Sequence, residues 1–212
     1  IVPVLFALML NEVTQDKMKK FIQTSVYLPY FLSWVLLGSI FLSMLQLDGV
    51  VNYVIELFGG EPVMFMASNK WAPVIMVVTD VWKNFGYGSI IYLAALSGVD
   101  QELYEAAKID GAGRWKQTVH ITIPGIAPTI IIMLILTIGN LLNVAMEKVL
   151  LLYRPLTYET ADVISTFVYR RGLIEGDFGY STSVGLFNSV INMLLLFISN
   201  AISRKYSETS LF

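Results

Sequence analysis

The stretch DQELYEAAKIDGAGRWKQTVHITIPGIAPTIIIMLILTIGNLLNVAM, residues 100–146, changes character halfway along. Its first part is polar enough to lie in water, yet it reads as a short helix, a break and a second short helix. Asp100 can cap a helix start, and Glu102 and Glu105 sit in the first turns, where the helix dipole favours negative charge. Gly111 can take the left-handed conformation that ends a helix, and Gly113 loosens the chain before a helical run over 114–120. Pro124 suits a first helical turn, and from there the chain is apolar through Met146. A helix needs a run of about 20 apolar residues to cross roughly 30 Å of hydrocarbon. The stretch therefore passes from water into a bilayer.

The composition agrees. Of 212 residues, 56% are hydrophobic and 14% charged, against a charged fraction of about a quarter in soluble domains. A net charge of -2 supplies no basic field for nucleic acid. With no cysteine and the single His120, there is neither a disulfide framework nor the makings of a metal site, and no GxxxxGK[ST] phosphate loop is present. Further spans are expected over 26–47, over 71–96 with Asp80, Lys83 and Asn84 inside it, and over 181–203. The opening IVPVLFALML is apolar but too short to cross, and is read as the tail of a cut span with earlier spans missing. The expectation is an all-α, polytopic transmembrane bundle forming a single domain over 1–212, with five spans, four of them complete.

Sidedness follows from basic residues. Lys17, Lys19 and Lys20 crowd the first loop (11–20), whereas the second (48–70) holds only Lys70, so the first is expected in the cytoplasm. The third loop, with Lys108, Arg114 and Lys116, and the tail, with Arg204 and Lys205, then fall on the same side. The long fourth loop (147–180) also carries Lys148, Arg154, Arg170 and Arg171, so charge alone suggests this orientation without deciding it.

Adjacent Ala106 and Ala107 would let another protein approach the backbone closely, with Glu105, Lys108 and Asp110 placing charge around them. Alanine is also the strongest helix former, so on composition alone a solvated surface helix is the favoured reading. The full spacing separates the two readings. Glu105-Ala106-Ala107, Gly111 six positions after the glutamate, and the distant Ile121-x-Ile123-Pro124 closely resemble the signature of type I permeases of binding-protein-dependent, ATP-driven importers. Only the leucine of that signature departs, as Ile123. Asp110 and Ala112 match a form common among the sugar permeases of this family, and VTDVWKNFGYGSIIYLAALSGVD (78–100) is similar as well, apart from its leading residue.

The resemblance implies that residues 98–123 form a cytoplasmic coupling loop docking in a cleft of an ATPase, with Glu105, Ala106, Ala107, Asp110, Gly111, Ala112, Ile121 and Pro124 carrying the contact. It implies a multi-pass protein of a prokaryotic plasma membrane that performs no chemistry itself. Its partners would be cytoplasmic ATPase subunits, which bind ATP and magnesium, a second related permease and an extracytoplasmic substrate-binding protein. Together with Leu152-Tyr153 and Asp162-Val163-Ile164, the resemblance points to oligosaccharides or related carbohydrates as cargo.

The intramembrane polar residues admit two readings each. Asp80 and Lys83, three apart, share a helix face: they either neutralise one another or line a translocation path. Trp82, Phe85, Tyr87 and Tyr92 either stack on sugar rings or pack among helices. Asn140, Asn143 and Glu147 form a polar stripe on the otherwise apolar span that begins at Pro124, and Asn188 and Asn192 lie four apart on the last span; each set either lines the path or joins helices by hydrogen bonds. Gly86 and Gly88 suit close helix contact. The rival function is an ion-coupled secondary transporter using Asp80, Lys83 and Glu147, which would need no ATPase. A membrane enzyme would need a nucleophile or metal cluster beside Asp80 and Glu147, and the sequence supplies neither.

Overall fold

The computed structural model describes residues 1–206. In chain order the helices are α1 (Val2–Asn11), α2 (Asp16–Phe31), α3 (Trp34–Met44), α4 (Val50–Leu57), α5 (Trp71–Gly88), α6 (Ile90–Ser97), α7 (Gln101–Ile109), α8 (Arg114–Gln117), α9 (Ile123–Gly139), α10 (Met146–Leu152), α11 (Tyr158–Ala161), α12 (Ile164–Tyr169) and α13 (Phe178–Tyr206). No strand occurs among the described residues. The polytopic helical architecture is the one the hydropathy dictates.

Two helical runs are long and apolar enough to cross a membrane unbroken, 114–139 and 178–205, and α2 with α3 form a third candidate as a pair bent by 98°. Only 17% and 11% of the apolar windows of the two unbroken runs is buried. Their hydrophobic side chains face outward, the reverse of a soluble protein and the arrangement that a lipid solvent favours.

Three boundaries differ from those read in the sequence. The span expected over 26–47 is broken at Leu32–Ser33: Pro29 lies inside the last turns of α2, and Ser33 starts α3 afresh, its Oγ accepting from the Leu36 N–H at 3.2 Å. The span expected over 71–96 is interrupted at the fully buried Ser89, whose Oγ bonds back to the Gly86 carbonyl at 2.6 Å. The span expected over 124–146 begins earlier and ends sooner. Helical structure is continuous from Arg114, through one π turn at Thr118–Thr122, into α9. Pro124 has no N–H to give in α-helical register, and the wider turn, in which the Ile123 N–H reaches the Thr118 carbonyl, accommodates it. At the other end α9 stops at Gly139, which lies so close to Leu196 of α13 that a Cβ would come within 2.8 Å of its Cδ1. Asn140 then falls in a turn, Asn143 in the irregular link after it and Glu147 in the first turn of α10, so the three do not form a stripe on one helix. In the fourth loop, α11 and α12 are separated at Asp162 and Val163.

The described residues group into two compact units. One comprises 1–27, 84–141 and the described chain from 191 on, with a core of Ala7, Tyr92, Leu96, Val99 and Ile126 that joins α1, α6 and α9. In it α2 and α5 touch backbone to backbone at Gly86, where a Cβ would meet the Val26 carbonyl oxygen at 2.4 Å. At Gly88 a Cβ would make only ordinary contact with Pro3, at 3.4 Å. The other unit comprises 28–83 and 142–190, built around Ala72, Met76, Val149, Leu152, Tyr153 and Ala161, with α3 packed on α10.

Loop contacts show which loops lie together. Arg114 of the third loop reaches Glu12 of the first at 3.5 Å. In the other unit, Thr160 of the fourth loop donates to the Asn69 carbonyl of the second at 3.0 Å. First with third and second with fourth is the pairing that alternating spans require.

Candidate functional sites: the 100–124 loop and a charged cavity

α7 is a short, well-capped helix without a buried residue. The Asp100 carboxylate accepts from the Glu102 N–H at 2.9 Å, as the sequence suggested. At its end Gly111 takes φ +75°. The Gly111 N–H bonds to the Lys108 carbonyl at 3.1 Å and the Ala112 N–H to the Ala107 carbonyl at 2.8 Å, a paired closure that reverses the chain and needs a residue without a Cβ at its left-handed position. Nothing lies within 4 Å of a Cβ built on Gly111, so this glycine serves backbone conformation, not packing.

The returning chain is tied back firmly. Gln117 donates to the Ala112 carbonyl at 2.7 Å, and the Tyr104 hydroxyl and Thr122 Oγ1 lie 2.9 Å apart. Ile121 packs against the core formed by α1, α6 and α9, and Pro124 stands at the π turn. The outer side of the loop presents Glu105, Ala106, Asp110 and Gly111 to solvent, with Ala107 and Ala112 half-buried. Three apolar side chains stand out around them: Leu103, Ile109 and Trp115 are 52%, 88% and 78% exposed. Sequence reasoning passed over these three because a leucine or isoleucine in a helix normally reads as core. Their signal was their position in a segment otherwise too polar to have an inner face.

The polar residues of the spans are arranged differently from expectation. Asp80 and Lys83 each bond directly to other groups. Lys83, 6% exposed, donates from Nζ to the carbonyls of Pro29, Tyr30 and Leu32 at 3.1, 2.7 and 2.5 Å, all at the break between α2 and α3. The three carbonyls lie at a helix end, where intrahelical donors run short, and the Pro29 carbonyl also accepts from the Leu32 N–H at 3.2 Å. The rings of Tyr30 and Trp34 flank it at 5.6 and 5.5 Å. Asp80 instead pairs with Lys148 at 2.8 Å, and that buried ammonium lies 5.6 Å from the Trp34 ring. Trp82 packs edge-on against Phe41, with centroids 5.6 Å apart.

Asp80, Lys148, Asn143 and Thr160 line a cavity of about 510 Å³ whose remaining wall is mostly apolar, including Met76 and Val149. Asn188 donates to Asn143 at 3.3 Å. Oδ1 of Asn188 and of Asn192 is buried without a hydrogen-bond partner among the described residues, Asn192 being 8% exposed. Glu147 is exposed on α10, and Asn140 caps α9. The structure thus brings Asp80, Asn143 and Asn188 towards one region and sets Lys83 and Trp82 to packing tasks. Lys148 and Trp34 were missed as site residues, Lys148 because its neighbours in sequence made it look like part of a solvated loop.

Beyond the spans, Asp162 is held by Arg170 and by Thr166, whose Oγ1 lies 2.6 Å away. Burial pushes this carboxyl up, but the hydrogen bonds from Arg170 and Thr166 outweigh it and keep the carboxyl below the usual carboxylate range. The Arg170 guanidinium lies 4.9 Å over the Tyr158 ring, which stacks on Tyr153 at 4.5 Å. This cluster fixes the outer loop as an ordered element.

Residues 1–208 match the family model described as binding-protein-dependent transport system inner membrane component. The whole chain is 42% identical to the polygalacturonan/rhamnogalacturonan transport system permease protein YteP of Bacillus subtilis, and 99% of it is 44% identical to Protein LplB of the same organism. It spans 66% of the length of each. Among solved structures it is similar, at 40% identity and a TM-score of 0.96, to a chain of a bacterial alginate ABC transporter crystallised with an alginate pentasaccharide-bound periplasmic protein, covering 99% of this chain and 73% of that one. A family match over 208 of 212 residues, together with a capped, outward-facing 100–124 loop and helices whose apolar faces point outward, makes this chain a member of the binding-protein-dependent transport system inner membrane component family.

Proposed function

We propose that this chain forms the translocation pathway of an ATP-driven oligosaccharide importer in a prokaryotic plasma membrane, with α7 and the Gly111 turn as its docking point for a cytoplasmic ATPase. The observation that carries the reading is the form of residues 100–112: an exposed helix capped at both ends, closed by an obligatory glycine and braced from behind by Gln117 and Tyr104. A rigid lever of this kind can transmit a push to α9, because helical structure is continuous from Arg114 to Gly139. ATP and magnesium would bind the ATPase partner. A second related permease and an extracytoplasmic binding protein would complete the importer, and closure of the ATPase pair would switch the spans between inward-open and outward-open states.

The cargo reading rests on relatives whose names specify polygalacturonan/rhamnogalacturonan and alginate. Within the chain, the cavity lined by Asp80, Lys148, Asn143 and Thr160, with Asn188 bonded to Asn143, offers donors and acceptors suited to sugar hydroxyls. An ion-coupled mechanism finds less support, because Lys83 is committed to backbone carbonyls and Asp80 to Lys148.

Uptake by vesicles holding the complete importer tests the proposal, with labelled galacturonan, alginate and neutral oligosaccharides offered in turn. Uptake is expected to require both ATP and the binding protein, and Glu105→Lys is expected to abolish uptake while ATP hydrolysis continues. Uptake driven by an ion gradient without ATP would overturn it.

A further inference from the structure

α4 is inverted relative to a helix of a soluble protein. Its uncharged polar side chain, Asn52, is fully buried: Nδ2 donates to the carbonyls of Gln46 and Val63 at 2.9 and 3.0 Å, and Oδ1 accepts from the Val63 N–H at 2.8 Å. On the opposite side Val50, Tyr53, Val54, Leu57 and Phe58 recur at the spacing of one helical face, and all are exposed, from 44% at Val54 to 86% at Phe58. Glu56 falls outside that arc. Single exposed apolar residues are ordinary, but five on one face of one short helix require an apolar environment.

We propose that α4 is an interfacial anchor, lying in the plane of the membrane–water boundary on the side that holds the 48–70 and 147–180 loops, with this face seated among lipid acyl chains. Continuity with the lipid-facing surface of α3 argues for lipid as the occupant. Leu36, Ile40 and Met44 of α3 are exposed at four-residue spacing, Leu47 continues the apolar surface, and α4 begins six residues after Met44. The corner is tight, since a Cβ on Gly49 would lie 2.4 Å from the Met44 carbonyl oxygen, so α4 is held close to the end of an apolar helix. Charge sets the lipid chemistry. Residues 48–69 contain Asp48, Glu56 and Glu61 but no lysine or arginine, so the helix is held by apolar burial and not by attraction to anionic headgroups.

The test uses the full-length protein in its complete importer, reconstituted in zwitterionic phosphatidylcholine vesicles, with an environment-sensitive fluorophore on Val54→Cys, Leu57→Cys or Glu56→Cys as the sole cysteine. Quenching by phosphatidylcholine spin-labelled near the headgroup is compared with quenching by aqueous iodide. At positions 54 and 57 lipid quenching is expected to exceed that at 56 by about threefold, with iodide showing the reverse order. Iodide quenching at 57 equal to that at 56 would place the face in water and overturn the proposal. Protection of 54 and 57 from both quenchers would overturn it in favour of a protein partner. Either result leaves the ATPase-docking reading untouched, because it concerns a different part of the chain.

Discussion

Lys83 shows how much one side chain decides. Placed within an apolar segment it looks like a transport group, yet its ammonium closes the carbonyls of Pro29, Tyr30 and Leu32 and so fixes the break between α2 and α3. Removing the ammonium would take three charge-assisted hydrogen bonds from that break. Lys83→Met should therefore destabilise the protein by on the order of 3 kcal/mol, read as a lowered thermal unfolding midpoint in detergent. Equal stability of the variant would return Lys83 to the translocation path. The sequence made Lys83 conspicuous but named the wrong partner, because the i,i+3 relation to Asp80 is visible in a sequence and a contact with residues about fifty positions away is not.

At the scale of elements, what was legible depended on range. Caps and turns are local: Asp100, Gly111 and the 114–120 helical run could all be read directly, and the structure places them as the sequence suggested. Span ends depend on packing that sequence does not display. α9 ends at Gly139, beside Leu196 of α13, so Asn140, Asn143 and Glu147 do not share the stripe expected of them. The glycines of α5 divide in the same way. Gly86→Ala would drive a methyl into the Val26 carbonyl and should destabilise by about 1–3 kcal/mol, whereas Gly88→Ala has room and should change stability by less than about 0.5 kcal/mol. Thermal unfolding of the two variants side by side measures the difference, and equal effects would show that α2 and α5 do not meet at Gly86.

For the whole molecule, the proposal is that the chain acts as lever and pathway, with energy supplied by an ATPase at the 100–112 loop; the family match and the exposed, capped loop support it. The most direct measurement is co-purification of the full-length protein with candidate ATPase subunits from detergent, wild type against Gly111→Trp. Gly111 holds a left-handed turn with open space around it, so the substitution strains the docking loop without entering a core. Stable ATPase association is expected with the wild type, and its loss with Gly111→Trp at unchanged membrane yield. Equal ATPase retention by both proteins, or association with neither, would contradict it.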